Sequence, residues 1–247
     1  MELTSYVAMS YLSVQQRALD VTAMNLANAG TSGFKAERVL FSDWLAKQSG
    51  TDNSRGGKPV AFVQDRATWR EKAEGTLQHT NNPLDLAIGS ADGFFTVETP
   101  RGTRLTRAGR FTAQGDGTIT DPQGNALLDT AGQKLRISPA DITLTVTADG
   151  TISSENGTIG KIAIVQPDDP AKLQTEGGAL LNPNTPTTPV AIPRIVQGAT
   201  EDSNVQPILE MTRMMSGLRS FQFTSQLVEQ EAQRQQGAID KLTQRKD

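Results

Sequence analysis

The strongest constraint on this chain lies at its two ends. Residues 1–28 contain neither Gly nor Pro, and Ala8, Leu12, Leu19, Ala23 and Leu26 recur at spacings of 4, 7, 4 and 3. That is a helical stripe with heptad character. Val7, Val14, Val21 and Asn28 form a second row at sevens, with Met9 and Met24 lying between the rows. Two rows present more apolar surface than a single neighbour covers. Only Glu2, Arg17 and Asp20 are ionised in this stretch, where the chain-wide charged fraction of 21% would give about six. A solvated helix would carry more charge. Asn28-Ala29-Gly30 is expected to close the helix, because Asn and Gly tolerate the left-handed conformation found at helix C-termini.

The other end mirrors the first. Asp202-Ser203-Asn204 supplies residues suited to an N-cap, and Pro207 suits the first turn. Ile208, Met211, Met215, Leu218, Ser225, Val228 and Ala232 follow at threes, fours and sevens, and Ile239 and Leu242 extend the row. The pattern predicts a helix of ~35 residues, ~50 Å long at the standard rise. Between Val205 and Val228 only Glu210, Arg213 and Arg219 are charged. Gln15, Gln16, Asn25, Ser216, Ser220, Gln222 and Gln226 are uncharged polar residues that can pair across close helix contacts without burying ions.

Between the helices the pattern changes. Residues 93–165 hold short Val, Ile, Thr and Phe runs broken by glycines, as in antiparallel meanders. Asp116-Gly117 and Asp149-Gly150 favour tight hairpin turns. Asn182 to Pro193 contains four prolines and reads as an extended connector. Residues 29–80 fit either an extended arm or part of the β-domain, with residues 48–57 as a flexible loop. The expected class is α+β, with the N- and C-terminal helices packed as a coiled-coil-like pair and a central all-β antiparallel domain. The expected parts are a helix over 1–30, a linking arm over 31–80, a β-domain over 81–196, and a C-terminal segment over 197–247 that carries the long helix.

Composition narrows the chemistry. Cysteine is absent, which removes disulfides, thiolate nucleophiles and metal–thiolate sites, and a single histidine, His79, rules out a multi-histidine metal centre. A net charge of −3 gives no general attraction to nucleic acid. No run approaches the ~20 apolar residues of a membrane span, and the first residues lack the basic and apolar regions of a cleavable signal. His79 has no nucleophile elbow to serve, and Gly56-Gly57-Lys58 lacks the surrounding residues of a phosphate loop. Arg101, Arg104, Arg107 and Arg110 recur at threes, which alternates faces on a strand and makes no stripe, so solvated or inter-subunit ion pairs are expected for them. Asp168-Asp169 between Pro167 and Pro170 reads as a turn, not a calcium site. No catalytic residue, metal, cofactor, small-molecule substrate, nucleic acid or membrane insertion is expected.

The helix-ending segment Ala23-Met24-Asn25-Leu26-Ala27-Asn28-Ala29-Gly30-Thr31-Ser32-Gly33-Phe34-Lys35 resembles the N-terminal signature of the bacterial flagellar rod and hook proteins, roughly ANNLANxxTxGFK. Further blocks agree in order: Asn82-Pro83-Leu84-Asp85-Leu86, Gly93-Phe94-Phe95-Thr96-Val97, and Thr106-Arg107-Ala108-Gly109-Arg110-Phe111. Gln197-Gly198-Ala199-Thr200-Glu201-Asp202-Ser203-Asn204-Val205, followed by Glu210-Met211, is similar to the closing signature of that family. Within the family, Tyr6-Val7-Ala8-Met9-Ser10 and Asp65-Arg66-Ala67-Thr68-Trp69 look most like proximal-rod members, with distal-rod and hook-type members as the alternative.

The resemblance implies an axial subunit that is exported uncleaved through the flagellar type III apparatus and polymerises in the periplasm with copies of itself and other rod subunits. It implies assembly through Leu12, Leu19, Ala23, Asn25, Leu26, Asn28, Met211, Met215, Leu218 and Val228. A non-catalytic periplasmic binding module, its β-domain recognising a glycan or another protein, is the reading from a different class. Because a two-helix hairpin recovers only part of the entropy of ordering ~60 residues, the ends are expected to order largely on assembly.

Overall fold

A computed structural model describes residues 2–46, 60–90, 92–177 and 179–243. The expected flexible loop at 48–57 and the Gly56-Gly57-Lys58 triplet lie outside the described residues. The apolar rows at the ends form the two long helices, α1 (Glu2–Ala27) and α2 (Pro207–Thr243). Between them all named strands pair antiparallel where a register is given, so the chain is α+β. The chain divides into two compact units. The first draws on α1, α2 and a two-stranded sheet of β1 (Glu37–Ala46) and β2 (Val60–Arg70); the second holds Ala27–Ala36 and Arg70–Val205. The 31–80 segment is therefore divided, its middle (37–69) lying in the first unit and its two ends (31–36 and 70–80) in the second.

In the first unit, the row at sevens puts Val14 and Val21 inside, while Leu12, Leu19 and Leu26 are half-buried. The helices touch where α2 carries Gly217. The Gln15 amide donates to the Gly217 carbonyl at 3.2 Å, and a Cβ on Gly217 would stand 2.9 Å from the Leu19 side chain. Glycine is used there for close approach, despite the ~1 kcal/mol it costs inside a helix.

The predicted cap residues do not cap α2. The Glu210 amide donates to the Gln206 carbonyl, so the helix opens at Gln206, two residues later than predicted. Asn204 acts elsewhere, within the second unit, where its side chain accepts from the Ala36 amide at 2.7 Å and donates to the Ala73 carbonyl at 3.0 Å. Ser203 accepts instead from the Val205 amide at 3.2 Å.

The second unit is built on a sheet in the order Gln174–Thr175, Leu180–Asn182, Gly102–Thr106, Phe94–Thr99, Ala126–Leu127, Ile119–Thr120, Thr112–Ala113. Its central register pairs Phe95 with Thr106 and Val97 with Arg104. Leu144–Val146, Thr151–Ser154 and Gly157–Lys161 form a separate three-stranded sheet. The Asp-Gly turns fall where predicted, between Thr112–Ala113 and Ile119–Thr120 and between the first two strands of the smaller sheet. The core gathers Phe95, Val97, Phe111, Leu127, Ile152 and Ile162, and the rings of Phe95 and Phe111 meet edge to face at 5.4 Å.

The proline-rich 182–193 stretch is not simply a connector. Thr187–Pro189 pairs with Ile164–Pro167, setting Thr188 opposite Gln166. The strand tolerates its proline because Pro189 closes it at an edge, and the next amide, Val190, donates to the Ile164 carbonyl at 3.0 Å.

Candidate assembly interface and its anchoring clusters

The side chains with interface spacing divide sharply by exposure. On α2, Met211, Met215 and Leu218 are exposed and Val228 is half-buried. Ile208, Phe223 and Leu227 are further exposed apolar residues of α2, Ile208 at 80% and Phe223 at 71%, and the last two lie on another side of the helix from Leu218. Phe223 and Leu227 escaped the sequence reading because they fall outside the single row traced there. Among the described residues of α2, Glu210 alone is buried. On α1, Ala23 is exposed, and Leu12, Leu19 and Leu26 are half-buried. Asn28, half-buried in the second unit, accepts from the Thr31 hydroxyl at 3.3 Å. Asn25 is fully buried, so it offers no surface to a neighbour despite its helical spacing.

Asn25 and Glu210 belong to a buried polar cluster inside the first unit. The Asn25 carboxamide accepts from the Glu37 amide and donates to the Glu37 carbonyl, both at 2.9 Å. Its nitrogen also lies 3.4 Å from Glu210 Oε2. Arg38 at the start of β1 donates to Glu210 Oε1 at 2.9 Å, and Arg213, one turn along α2, pairs with the same oxygen. Burial excludes a bare carboxylate unless it is paired and hydrogen-bonded; here two guanidinium groups and an amide supply the partners.

The second unit holds its own buried ionic cluster. Glu201 is 2% and Arg107 3% exposed. Arg107 donates to Glu201 from Nε at 3.0 Å, while its Nη1 reaches the carbonyls of Ser90 and Gly93, each at 2.8 Å. Lys35 pairs with Glu201 as well, and the Gly75 amide donates to Glu201 Oε1 at 2.9 Å. Burial by itself pushes the Glu201 carboxyl up, but the Arg107 charge, the Lys35 hydrogen bond and the Gly75 amide outweigh it and hold the group below the usual carboxylate range. Burial draws the Lys35 ammonium down against the hydrogen bond and charge of Glu201.

Arg107 thus corrects the sequence expectation of a solvated or inter-subunit pair. The motif singled it out, but its partner lies 94 residues away. Of the other arginines, Arg104 makes a two-pronged pair with Glu176 at 2.9 and 3.0 Å, Arg101 lies 3.5 Å from the same residue, and Arg110 is exposed.

Some family-signature residues touch this cluster, and others are placed by contacts with one another and with the main core. Gly33 sits at φ +70°, its amide donating to the Glu201 carbonyl at 2.7 Å, and a Cβ there would stand 2.3 Å from the Arg107 carbonyl carbon. Phe34 packs with Ala36 and Val205. Gly93 lends its carbonyl to Arg107, and Phe94 lies beneath the guanidinium at 5.8 Å. Asp85 accepts from Thr80 and Asn82 at 2.6 and 3.1 Å, while its carbonyl takes the Gly198 amide at 2.8 Å. The Gln197 amide donates to the carbonyls of Pro83 and Leu144 at 3.0 and 2.9 Å. Leu84 packs against the main core, which contains Phe95 and Phe111, and the Gly109 carbonyl accepts from the Leu86 amide.

The features set aside on sequence grounds have local partners. His79 is exposed on a short strand, in register with Ala199. Asp169 accepts from the Ala171 amide at the start of a short helical turn, and Asp168 accepts from Thr188 at 2.7 Å. Among the described residues no cluster of acidic and histidine side chains could hold a metal, and no helix is long and apolar enough to cross a membrane.

Comparison with known proteins agrees with this architecture. Residues 6–35 match a family model for flagella basal body rod proteins, and residues 89–154 match the D1 domain of flagellar hook protein FlgE/F/G. Residues 196–240 match the C-terminal region of flagellar basal body rod FlgEFG proteins. The matches fall on the N-terminal helix, the β-domain and the C-terminal helix in chain order, which defines the class as that of the flagellar axial structural proteins. The chain is 34% identical to flagellar basal-body rod protein FlgF of Caulobacter vibrioides and 35% identical to FlgF of Mesorhizobium japonicum, over 98% of each chain in both comparisons. It is 28% identical to flagellar basal-body rod protein FlgG of Bacillus subtilis, over 90% of this chain and 92% of that one. The chain belongs to the flagellar basal-body rod protein family, whose members are structural proteins and not enzymes.

Proposed function

We propose that this protein is a structural subunit of the proximal rod of the flagellar basal body. It polymerises through its terminal helices, as part of the axial drive shaft and export channel, and flagellum-dependent motility needs it. The single observation that carries the reading is α2, a 37-residue helix that keeps one described residue buried and leaves Ile208, Met211, Met215, Leu218, Phe223 and Leu227 exposed. Exposed apolar residues on more than one side of a helix call for more than one neighbour. Helical neighbours, from copies of this chain and from other rod subunits, supply coiled-coil-like partners for it. The interface residues are Leu12, Leu19, Ala23 and Leu26 on α1 and Asn28 just after it, with Met211, Met215, Leu218 and Val228 on α2. The subunit reaches the periplasm through the type III export apparatus with its N-terminus uncleaved.

The test is deletion of the gene, followed by electron microscopy of isolated basal bodies and swimming assays. Loss of rod, hook and filament, restored by the full-length gene but not by one ending before Pro207, is the expected result. Intact flagella in the deletion would reject an axial role and favour a binding module.

A further inference from the structure

The one described buried residue of α2 is a carboxylate, Glu210, 1% exposed, and the residue it meets on α1 is Asn25, 0% exposed. The most buried contact of α2 is thus made by an acidic group, while Ile208, Met211, Met215, Leu218, Phe223 and Leu227 stay exposed. We propose that Asn25, Arg38 and Glu210 form a register latch that sets α1, β1 and α2 against one another in the unassembled subunit. The latch leaves the apolar faces for neighbours, and to that extent it rests on the assembly reading above.

The geometry gives the latch its specificity. The Asn25 carboxamide bonds both peptide groups of Glu37, acting as a strand neighbour would, and so fixes α1 beside the first residue of β1. The next residue of β1, Arg38, and the same carboxamide then both reach Glu210. Three elements are satisfied at one point. Sliding α1 by one turn, about 5.4 Å, would present Val21 to the carboxylate and leave Glu37 without its carboxamide. Buried polar groups are known to select one register from several that apolar packing would accept. Removal of Asn25 takes the carboxamide from both Glu37 peptide groups and one donor from Glu210, and removal of Glu210 takes away the acceptor that Asn25 and Arg38 share; both break the same junction, so their effects should overlap.

This refines the expectation that the ends order largely on assembly. The latch holds the C-terminal end of α1 and the first turn of α2; beyond Glu210, α2 meets α1 at Gly217 but has no buried described residue, which leaves its exposed apolar residues to partners.

The test uses the free full-length chain, without any flagellum. Because the chain contains no cysteine, Ser13→Cys and Ser220→Cys, both at exposed positions, give unique spin-label sites on the two helices. In the otherwise unsubstituted chain a single narrow distance is expected. Glu210→Ala and Asn25→Ala should each broaden it and raise amide exchange at least tenfold in both 20–27 and 207–213. The double substitution should add little to either, Glu210→Gln should lie between, and exchange at Phe95 and Val97 should be unchanged. A narrow distance in Glu210→Ala, strictly additive effects, loss confined to the substituted helix, or a broad distance before any latch substitution would each overturn the latch. None of these outcomes bears on whether the rod forms. Conversely, intact flagella in the deletion strain would reject the assembly reading and leave the latch untouched.

Discussion

Replacing Glu201 with Ala removes the buried anion of a cluster that also contains Arg107 and Lys35, with side chains 1% and 10% exposed. Glu201 accepts from Arg107 Nε at 3.0 Å, from Arg107 Nη2 at 2.9 Å, from the Gly75 amide at 2.9 Å and from Lys35. Removal of one partner of a buried pair costs about 3–5 kcal/mol, because the other charge stays buried and uncompensated. Two cations are left here, so the upper half of that range is expected. Glu201→Gln preserves shape and some hydrogen bonding but removes the charge, and should cost about 1.5–3 kcal/mol. The Lys72–Asp92 pair, with side chains 65% and 51% exposed, provides the control, and Lys72→Ala should stay within about 0.5 kcal/mol. Amide hydrogen exchange of the full chain in increasing urea, read at Phe95 and Val97 in the sheet of the second unit, measures all three. A Glu201→Ala cost below about 1 kcal/mol, or equal costs for the Ala and Gln variants, would refute the claim that a desolvated charge cluster ties the signature segments together.

The same carboxylate gives a pH prediction. Its folded pKa is depressed, so its stabilisation is fully present above the unfolded value of about 4.3 and fades as pH falls through the folded value. Melting temperature should drop on acidification below about pH 4, and Glu201→Gln should flatten that acid limb. Gly33→Ala should destabilise the second unit by at least about 2 kcal/mol, since φ is +70° and the new Cβ meets the Arg107 backbone; an unchanged unfolding midpoint would contradict this. Met215→Glu, at an exposed position on α2, should leave the melting temperature of the free chain within about 2 °C while abolishing complementation of swimming in a deletion strain. Normal swimming would remove Met215 from the interface.

What was legible in the sequence is what local physics determines. Apolar rows at threes, fours and sevens specify α1 and α2, because side chains one turn apart on a helix must share a face. Asp-Gly dipeptides specify the tight turns at Gly117 and Gly150, where φ is +82° and +90°, because the backbone there needs a residue without a Cβ. Tertiary structure decided which polar residues are partners. Glu201 meets Lys35 across 166 residues of sequence, and Asn25 meets Glu210 across 185. It also took Asn204 from a capping role and put it between Ala36 and Ala73, and it drew Thr187–Pro189 into the sheet against Ile164–Pro167. Periodicity carries no record of such pairings. A lone carboxylate or carboxamide in a helix has the same local signature whether it faces water, a neighbour or a guanidinium on another strand, and burial alone makes that difference worth several kcal/mol.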